Sequence, residues 1–229
     1  MKHHFSLAAA IALLVGSIQA QAQSVIYNFS DNTSDGWALG GFSGSPAATV
    51  STIGGNNYIF APLGSSFQVA NVSSGDSSSA LFQAMQAAAL NPSGYDISYN
   101  YYFDTSTFGA TPPSFLQLGT FVNGGNGQYF QDFSTPNEVQ FNGSQLSSGQ
   151  VFQGSVTINM GTVGFALNPT NNFYRLGLIE NGNNGASSSS IGVFFTGISI
   201  TPVPEPSVLC LFGLGAAGLW MRRRYSNHR

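Results

Sequence analysis

Charge is nearly missing from this chain: Lys, Arg, Asp and Glu together make up 7% of its 229 residues, against about 25% in an ordinary soluble domain. What basic charge exists sits at the ends. Lys2 is near the N-terminus, Arg222, Arg223, Arg224 and Arg229 are at the C-terminus, and Arg175 alone lies between. The histidines (His3, His4, His228) and the single cysteine, Cys210, also fall near the ends. Residues 23–202 therefore contain no Lys, His or Cys. That stretch cannot build a Ser-His-Asp or Cys-His nucleophile, a disulfide or a His/Cys zinc site. It holds eight of the nine acids against one Arg, so a nucleic-acid phosphate backbone finds no basic footprint on it. The length allows one domain or two small ones.

What is present at the two ends reads as addressing. Lys2, His3 and His4 give a positive start, residues 5–15 form a short apolar run, and Ala20-Gln21-Ala22 supplies a small-x-small cleavage site. Residues 1–22 thus read as a secretory signal peptide cut before Gln23, with the run too short for a membrane-spanning helix. At the other end Pro204-Glu205-Pro206 is followed by an uncharged apolar stretch, 207–221, and then by Arg222-Arg223-Arg224. As a helix that stretch is about 22 Å long at ~1.5 Å per residue, short of the ~30 Å hydrocarbon core. Arg side chains can snorkel to the interface, which helps a short span. The Arg cluster is expected to stay cytoplasmic, which places the preceding domain across the membrane. Cys210, inside this apolar run, reads as a small hydrophobe without a role of its own.

Tripeptide, apolar helix and Arg cluster in this order, over roughly residues 202–226, resemble the PEP-CTERM sorting signal of Gram-negative bacteria. The resemblance implies an exosortase as processing partner, acting near Pro204-Glu205-Pro206, and a transient stay in the inner membrane before release to the cell surface or exterior. It also implies exopolysaccharide-producing, matrix-forming cells. The prolines keep the tripeptide extended, as an enzyme gripping it requires. An ordinary tail anchor is the plainer alternative.

Between the addresses, residues 23–201 are rich in Gly, Ser, Asn and aromatics. Short β-prone runs fall at 25–29, 48–53, 57–60, 66–70, 96–103, 114–122, 128–133, 138–141, 151–160, 164–167, 173–180 and 191–200. The clearest period of two is Ile97, Tyr99, Tyr101 and Phe103 against Asp96, Ser98 and Asn100. Gly54-Gly55, Asn123-Gly124-Gly125, Asn142-Gly143 and Asn181-Gly182 separate runs with residues that tolerate positive φ. One stretch breaks the pattern. Leu81, Met85 and Ala89 repeat every four residues, a cap stands in 76–79, and Asn91-Pro92 ends it, which predicts a helix over 79–90. The expectation is an all-β, jelly-roll-type two-sheet β-sandwich with one short helix, with the polar residues 181–190 as a hairpin loop.

Tyr27-Asn28-Phe29 with Asp35-Gly36-Trp37, and residues 173–180 with 192–200, resemble the first and last strands of carbohydrate-binding-module-like jelly rolls. In that pattern an Asp-Asn pair often precedes the last Ile-x-Ile, here Ile198-Ser199-Ile200, and its Asp can ligate a structural calcium. Thr196-Gly197 occupy the place here. No cofactor is assigned.

Several residues are candidates for function. Trp37 can stack on a sugar ring or fill the core behind the Asp-Gly turn, the core being the commoner fate of such a residue. Tyr101-Tyr102 and Tyr129-Phe130 place neighbouring aromatics on opposite faces, so Tyr102 and Tyr129 are candidates for exposed glycan contacts. Glu138 and Glu180 are the only glutamates of the domain and would serve glycoside hydrolysis only if folded together. Arg175 suits an ion pair or a grip on a sugar acid. Asp31 and Asp35 suit turns, with calcium as the alternative. Three functions are open: an exported, non-catalytic surface or matrix protein that binds polysaccharide, a purely structural, self-associating matrix component, and a glycan-active hydrolase.

Overall fold

The computed structural model describes residues 24–40, 47–63, 68–73, 75–109, 112–125, 128–132, 139–162, 164–165, 167–182 and 191–203. The signal segment with Ala20 and Ala22, the sorting segment with Pro204, Glu205, Pro206, Arg222, Arg223 and Arg224, and Glu138 lie outside the described residues. No helix among the described residues is long and apolar enough to cross a membrane.

The strands are β1 (Val25–Tyr27), β2 (Ala38–Leu39), β3 (Thr49–Ile53), β4 (Asn56–Pro62), β5 (Gln68–Ser73), β6 (Tyr95–Asp104), β7 (Phe115–Gly125), β8 (Gln128–Asp132), β9 (Val139–Asn142), β10 (Val151–Asn159), β11 (Arg175–Gly182) and β12 (Gly192–Pro202). They form two six-stranded sheets. The first runs β10-β6-β12-β4-β3, with β1 also on β12, and the second runs β2-β5-β11-β7-β8, with β9 also on β7. All pairs are antiparallel. Inward residues of both sheets share one core: Ile97, Tyr99 and Phe103 from the first, Leu116, Leu118, Val122, Leu176 and Leu178 from the second. Phe103 meets Phe141 across the sandwich with ring centroids 4.8 Å apart. The alternation in 96–103 is thus a true strand signal, because one face of β6 is closed by the opposite sheet.

The predicted helix is present as α1 (Ala80–Leu90). Ser79 caps it by accepting from Phe82 N–H, and Leu81, Phe82, Ala84, Met85 and Ala88 are buried. It packs against β1 and β12, and Phe82 stands edge-on to Tyr174 at 5.2 Å. Asn91-Pro92 leads into a 3-10 turn, Pro92–Gly94. One expected strand is absent and one strand is unexpected. The run at 164–167 is no strand: Asn159 Oδ1 accepts from the N–H groups of Gly161 and Thr162, folding a turn that delivers Phe165 and Leu167 to the core. The short strand β2, of two residues, has too little pattern to be seen in advance. Residues 183–190 of the expected hairpin loop lie outside the described residues.

Strand β12 carries an irregularity beside the outer face of the first sheet. Its register against β6 shifts between Thr196 and Ser199, and Gly197 sits there at φ +58°. A Cβ at this position would come within 2.5 Å of Asn100 Nδ2. The left-handed backbone favours glycine, as in a G1-type bulge, and an added Cβ would also push the Asn100 side chain aside.

Candidate functional site

The outer face of the first sheet carries a patch of four aromatic rings. Phe194 on β12 lies directly opposite Tyr102 on β6 and Phe60 on β4, and Tyr58 stands two residues along β4 on the same face. Ring centroids are 4.8 Å apart for Phe60–Phe194, 6.2 Å for Tyr102–Phe194, 6.2 Å for Tyr58–Tyr102 and 6.5 Å for Tyr58–Phe194. All four side chains are partly exposed. Their neighbours Ile59, Phe103, Val193 and Phe195 point the other way and are buried. Strand periodicity alone produces this sorting: each strand gives one residue to the core and the next to the outside.

The patch has a polar rim that is neutral except for the partly exposed Asp104, two residues beyond Tyr102 on the same face of β6. Gln153 on β10 lies opposite Tyr102, and Thr49 on β3 lies opposite Phe60. In the adjoining row Ser155 faces Asn100, and Asn100 faces Thr196. Ser155 Oγ donates to Asn100 Oδ1 at 2.5 Å. The Gly197 bulge closes this side, adjacent to Thr196. Neither the Tyr58 nor the Tyr102 hydroxyl has a hydrogen-bond partner among the described residues, so both are open to a ligand. Along Tyr102–Phe194–Phe60 the rings cross three strands, about 10 Å centre to centre at ~4.8 Å per strand.

Of the residues singled out in the sequence, Tyr102 is in this patch. Trp37 is not. The Asp35-Gly36 turn, with φ +50° and +81°, tucks it inward. There it is 0% exposed, edge-on to Tyr27 at 5.6 Å, with no face open for stacking. Burial, aided by the nearby Asp35 carboxylate, pushes the Tyr27 hydroxyl up to about 12. Tyr129 is in β8 opposite Asn123, and its side chain lies outside the described residues. Tyr58, Phe60 and Phe194 are additions that the structure makes. The adjacent pair Phe194-Phe195 carries the signal, since two neighbouring aromatics on a strand cannot both enter one core.

Among the described residues the carboxylates do not gather. Glu180 is 1% exposed and points inward from β11, and neither carboxyl oxygen has a partner within hydrogen-bond geometry among the described residues. Burial pushes its carboxyl well above the ordinary range, opposed only by the nearby Val193 N–H. Asp31 and Asp35 are engaged in a turn. Asp31 Oδ1 accepts from Thr33 N–H at 3.0 Å and lies 2.8 Å from Thr33 Oγ1, which is itself 3.0 Å from Asp35 Oδ1. These bonds hold the Asp31 carboxyl below the usual carboxylate value. No group of three or more His, Cys, Asp or Glu able to hold a metal occurs among the described residues. Arg175 Nε donates to Ser73 Oγ at 3.3 Å, and its guanidinium lies 5.4 Å from the centre of the Phe173 ring.

Comparison with known proteins adds two findings and one negative result. The domain bears a distant structural resemblance to carbohydrate-binding modules. A non-crystalline cellulose specific module, CBM28, aligns at TM-score 0.46 and 14% identity over 75% of this chain and 91% of that one. The xylan-binding module CBM15 aligns at 0.39 and 11% over 79% and 96%. A module studied for specific mannan recognition, TmCBM27, aligns at 0.39 and 12% over 80% and 99%. No relative was found among curated proteins. Residues 202–224 match the PEP-CTERM protein-sorting motif, so this chain carries at its C-terminal end the signal that implies export and exosortase-mediated sorting.

Proposed function

We propose that this is an exported, non-catalytic polysaccharide-binding protein whose ligand lies on the Tyr58, Phe60, Tyr102 and Phe194 rings. The observation that carries the reading is four partly exposed aromatic side chains side by side on one sheet face, two with unbonded hydroxyls. Aromatic faces stack on the apolar C–H faces of sugar rings, and phenol hydroxyls supply polar contacts beside them. The rim residues Thr49, Asn100, Gln153, Ser155 and Thr196 are neutral, and Asp104 beside Tyr102 is a carboxylate held in its charged form by hydrogen bonds from Ser106, which favours a neutral glycan over a uronate-rich one. A row spanning three strands suits several consecutive sugar units better than a single monosaccharide. The enclosure of Glu180 between the sheets supports a non-catalytic role, because a general acid must reach its substrate.

Sorting completes the reading. The chain crosses the inner membrane, is held there by residues 207–221, and is cut by an exosortase near Pro204-Glu205-Pro206. Mass spectrometry of protein recovered from its own cells should show a C-terminus at that tripeptide. An intact C-terminus in cells that possess an exosortase would count against it. The binding claim is checked by affinity electrophoresis of the full chain in gels containing hydroxyethyl cellulose, xylan or galactomannan, with alginate as the charged control. Retardation by a neutral polymer that disappears in Tyr102→Ala is the expected outcome. Equal retardation of the unsubstituted chain and of both Tyr102→Ala and Phe194→Ala would refute the assignment.

A further inference from the structure

The first sheet ends on an unusual edge. β10 is nine residues long, whereas the other strands with a single strand partner among the described residues, β1, β2, β3, β8 and β9, have two to five. Its register with β6 runs unbroken from Val151↔Asp104 to Asn159↔Asp96. The strand reads VFQGSVTIN, with no charge and no proline. Proteins usually protect a free edge with Lys, Pro, a bulge or brevity. β10 has none of these.

Hydrogen-bond parity shows which groups are free. Thr105 N–H donates to Gln150 O at 2.9 Å, and Met160 N–H donates to Tyr95 O at 3.0 Å. Both even-numbered positions flanking the strand therefore bond toward β6. By the alternation of an antiparallel ladder, Phe152, Gly154, Val156 and Ile158 do the same. Val151, Gln153, Ser155 and Thr157 turn their main-chain N–H and C=O the other way, where no strand among the described residues pairs with them. All four are exposed.

We infer that this edge pairs with the β10 strand of a second copy of the chain, antiparallel about a two-fold axis at Ser155, joining two sandwiches through one continuous sheet. A row of alternating main-chain donors and acceptors is matched by another strand. A second copy fits in polarity. Gln153 meets Thr157 and Ser155 meets its own image on the outer face, and Phe152 meets Ile158 on the inner face. Like charges directly opposite each other destabilise a strand pair, and a charge at the two-fold position would face its own image. The lack of charge in β10 removes that obstacle. The pairing does not depend on the glycan reading, although it would carry the outer face and its rings continuously into the partner.

The register provides its own test. Ser155 would face Ser155 of the second copy as a hydrogen-bonded pair with Cα atoms about 5.5 Å apart, within the ~4.4–6.8 Å a disulfide spans. In a full-length chain with Cys210→Ala, Ser155→Cys treated with copper–phenanthroline should yield a band of twice the chain mass on a non-reducing gel. Ser51→Cys, on the short edge strand β3, should not. Sedimentation of the cysteine-free chain should show a dimer, reduced to monomer by Ser155→Lys with secondary structure by circular dichroism unchanged. A monomeric cysteine-free chain, or cross-linking at Ser51→Cys equal to that at Ser155→Cys, overturns the inference. Neither readout involves a glycan, so Tyr102→Ala should leave both unchanged.

Discussion

Both sheets turn aromatic rings outward, and the two faces treat them differently. On the second sheet Phe121 is only 3% exposed. Its ring occupies the space over Gly177, where an added Cβ would come within 1.7 Å of it. On the first sheet Tyr58, Phe60, Tyr102 and Phe194 remain partly open. An outward aromatic is therefore not in itself a binding residue. Phe121 lies over Gly177 and is covered, whereas Tyr58, Phe60 and Tyr102 lie beside Phe194 and stay partly open. The first arrangement serves packing, and the second leaves a patch whose apolar area faces solvent.

Substitutions test that contrast. The largest effect is expected at the core position: Trp37→Ala should cost about 3–5 kcal/mol, as large-to-small changes of a buried Trp do. Chemical denaturation measures it, and polysaccharide retardation of the folded fraction should be unchanged. A cost near zero would mean that Trp37 is not packed as described. Next is Gly177→Ala, where the new methyl group must displace the Phe121 ring, an overpacking cost of roughly 1–3 kcal/mol. Tyr102→Ala should reverse the pattern. Binding to the preferred neutral polymer should weaken at least about tenfold, equivalent to ~1.4 kcal/mol, while the melting temperature hardly moves. If Tyr102→Ala instead lost as much stability as Gly177→Ala, the two faces would be alike and the contrast would fail.

The smallest effect concerns Glu180 and depends on pH. Its folded carboxyl is raised above the unfolded value of about 4.3. The folded state then binds more protons than the unfolded state once pH exceeds that value. The contribution of Glu180 to stability is accordingly fully present below about pH 4 and is lost as pH rises from there toward the raised folded value. Glu180→Met removes the group, so its melting temperature should vary less than that of the unsubstituted chain between acid and neutral pH. Identical curves for the two chains would show that the buried carboxyl does not govern the acid-to-neutral slope.

Tyr102 is legible in the sequence because it succeeds Tyr101 on a strand with a clear period of two. Phe194 obeys the same rule beside Phe195, but it lies in a nearly continuous apolar run where period two is hidden. Tyr58 and Phe60 alternate with Ile59 and Ala61 and look like an ordinary half-buried strand. Nothing local shows that β4 lies beside β12, far along the chain. Trp37 illustrates the reverse case: a turn and a ring are visible locally, but whether the ring points in or out is not. Phe165 and Leu167 look like part of a strand because core-filling residues in a turn have the same composition as a strand.

Local patterns alone determined the alternation that makes strands, the cap and stop of α1, the sparsely charged, net-acidic domain body and the sorting segment at 202–224, since each rests on residues adjacent in the chain. Tertiary structure decided which rings meet, which are covered, where Glu180 is enclosed and which strand is left as an edge. Each of those depends on pairing between distant segments, such as β6 with β12 or β4 with β12. That pairing is chosen by closure of the shared core rather than by any one strand's sequence.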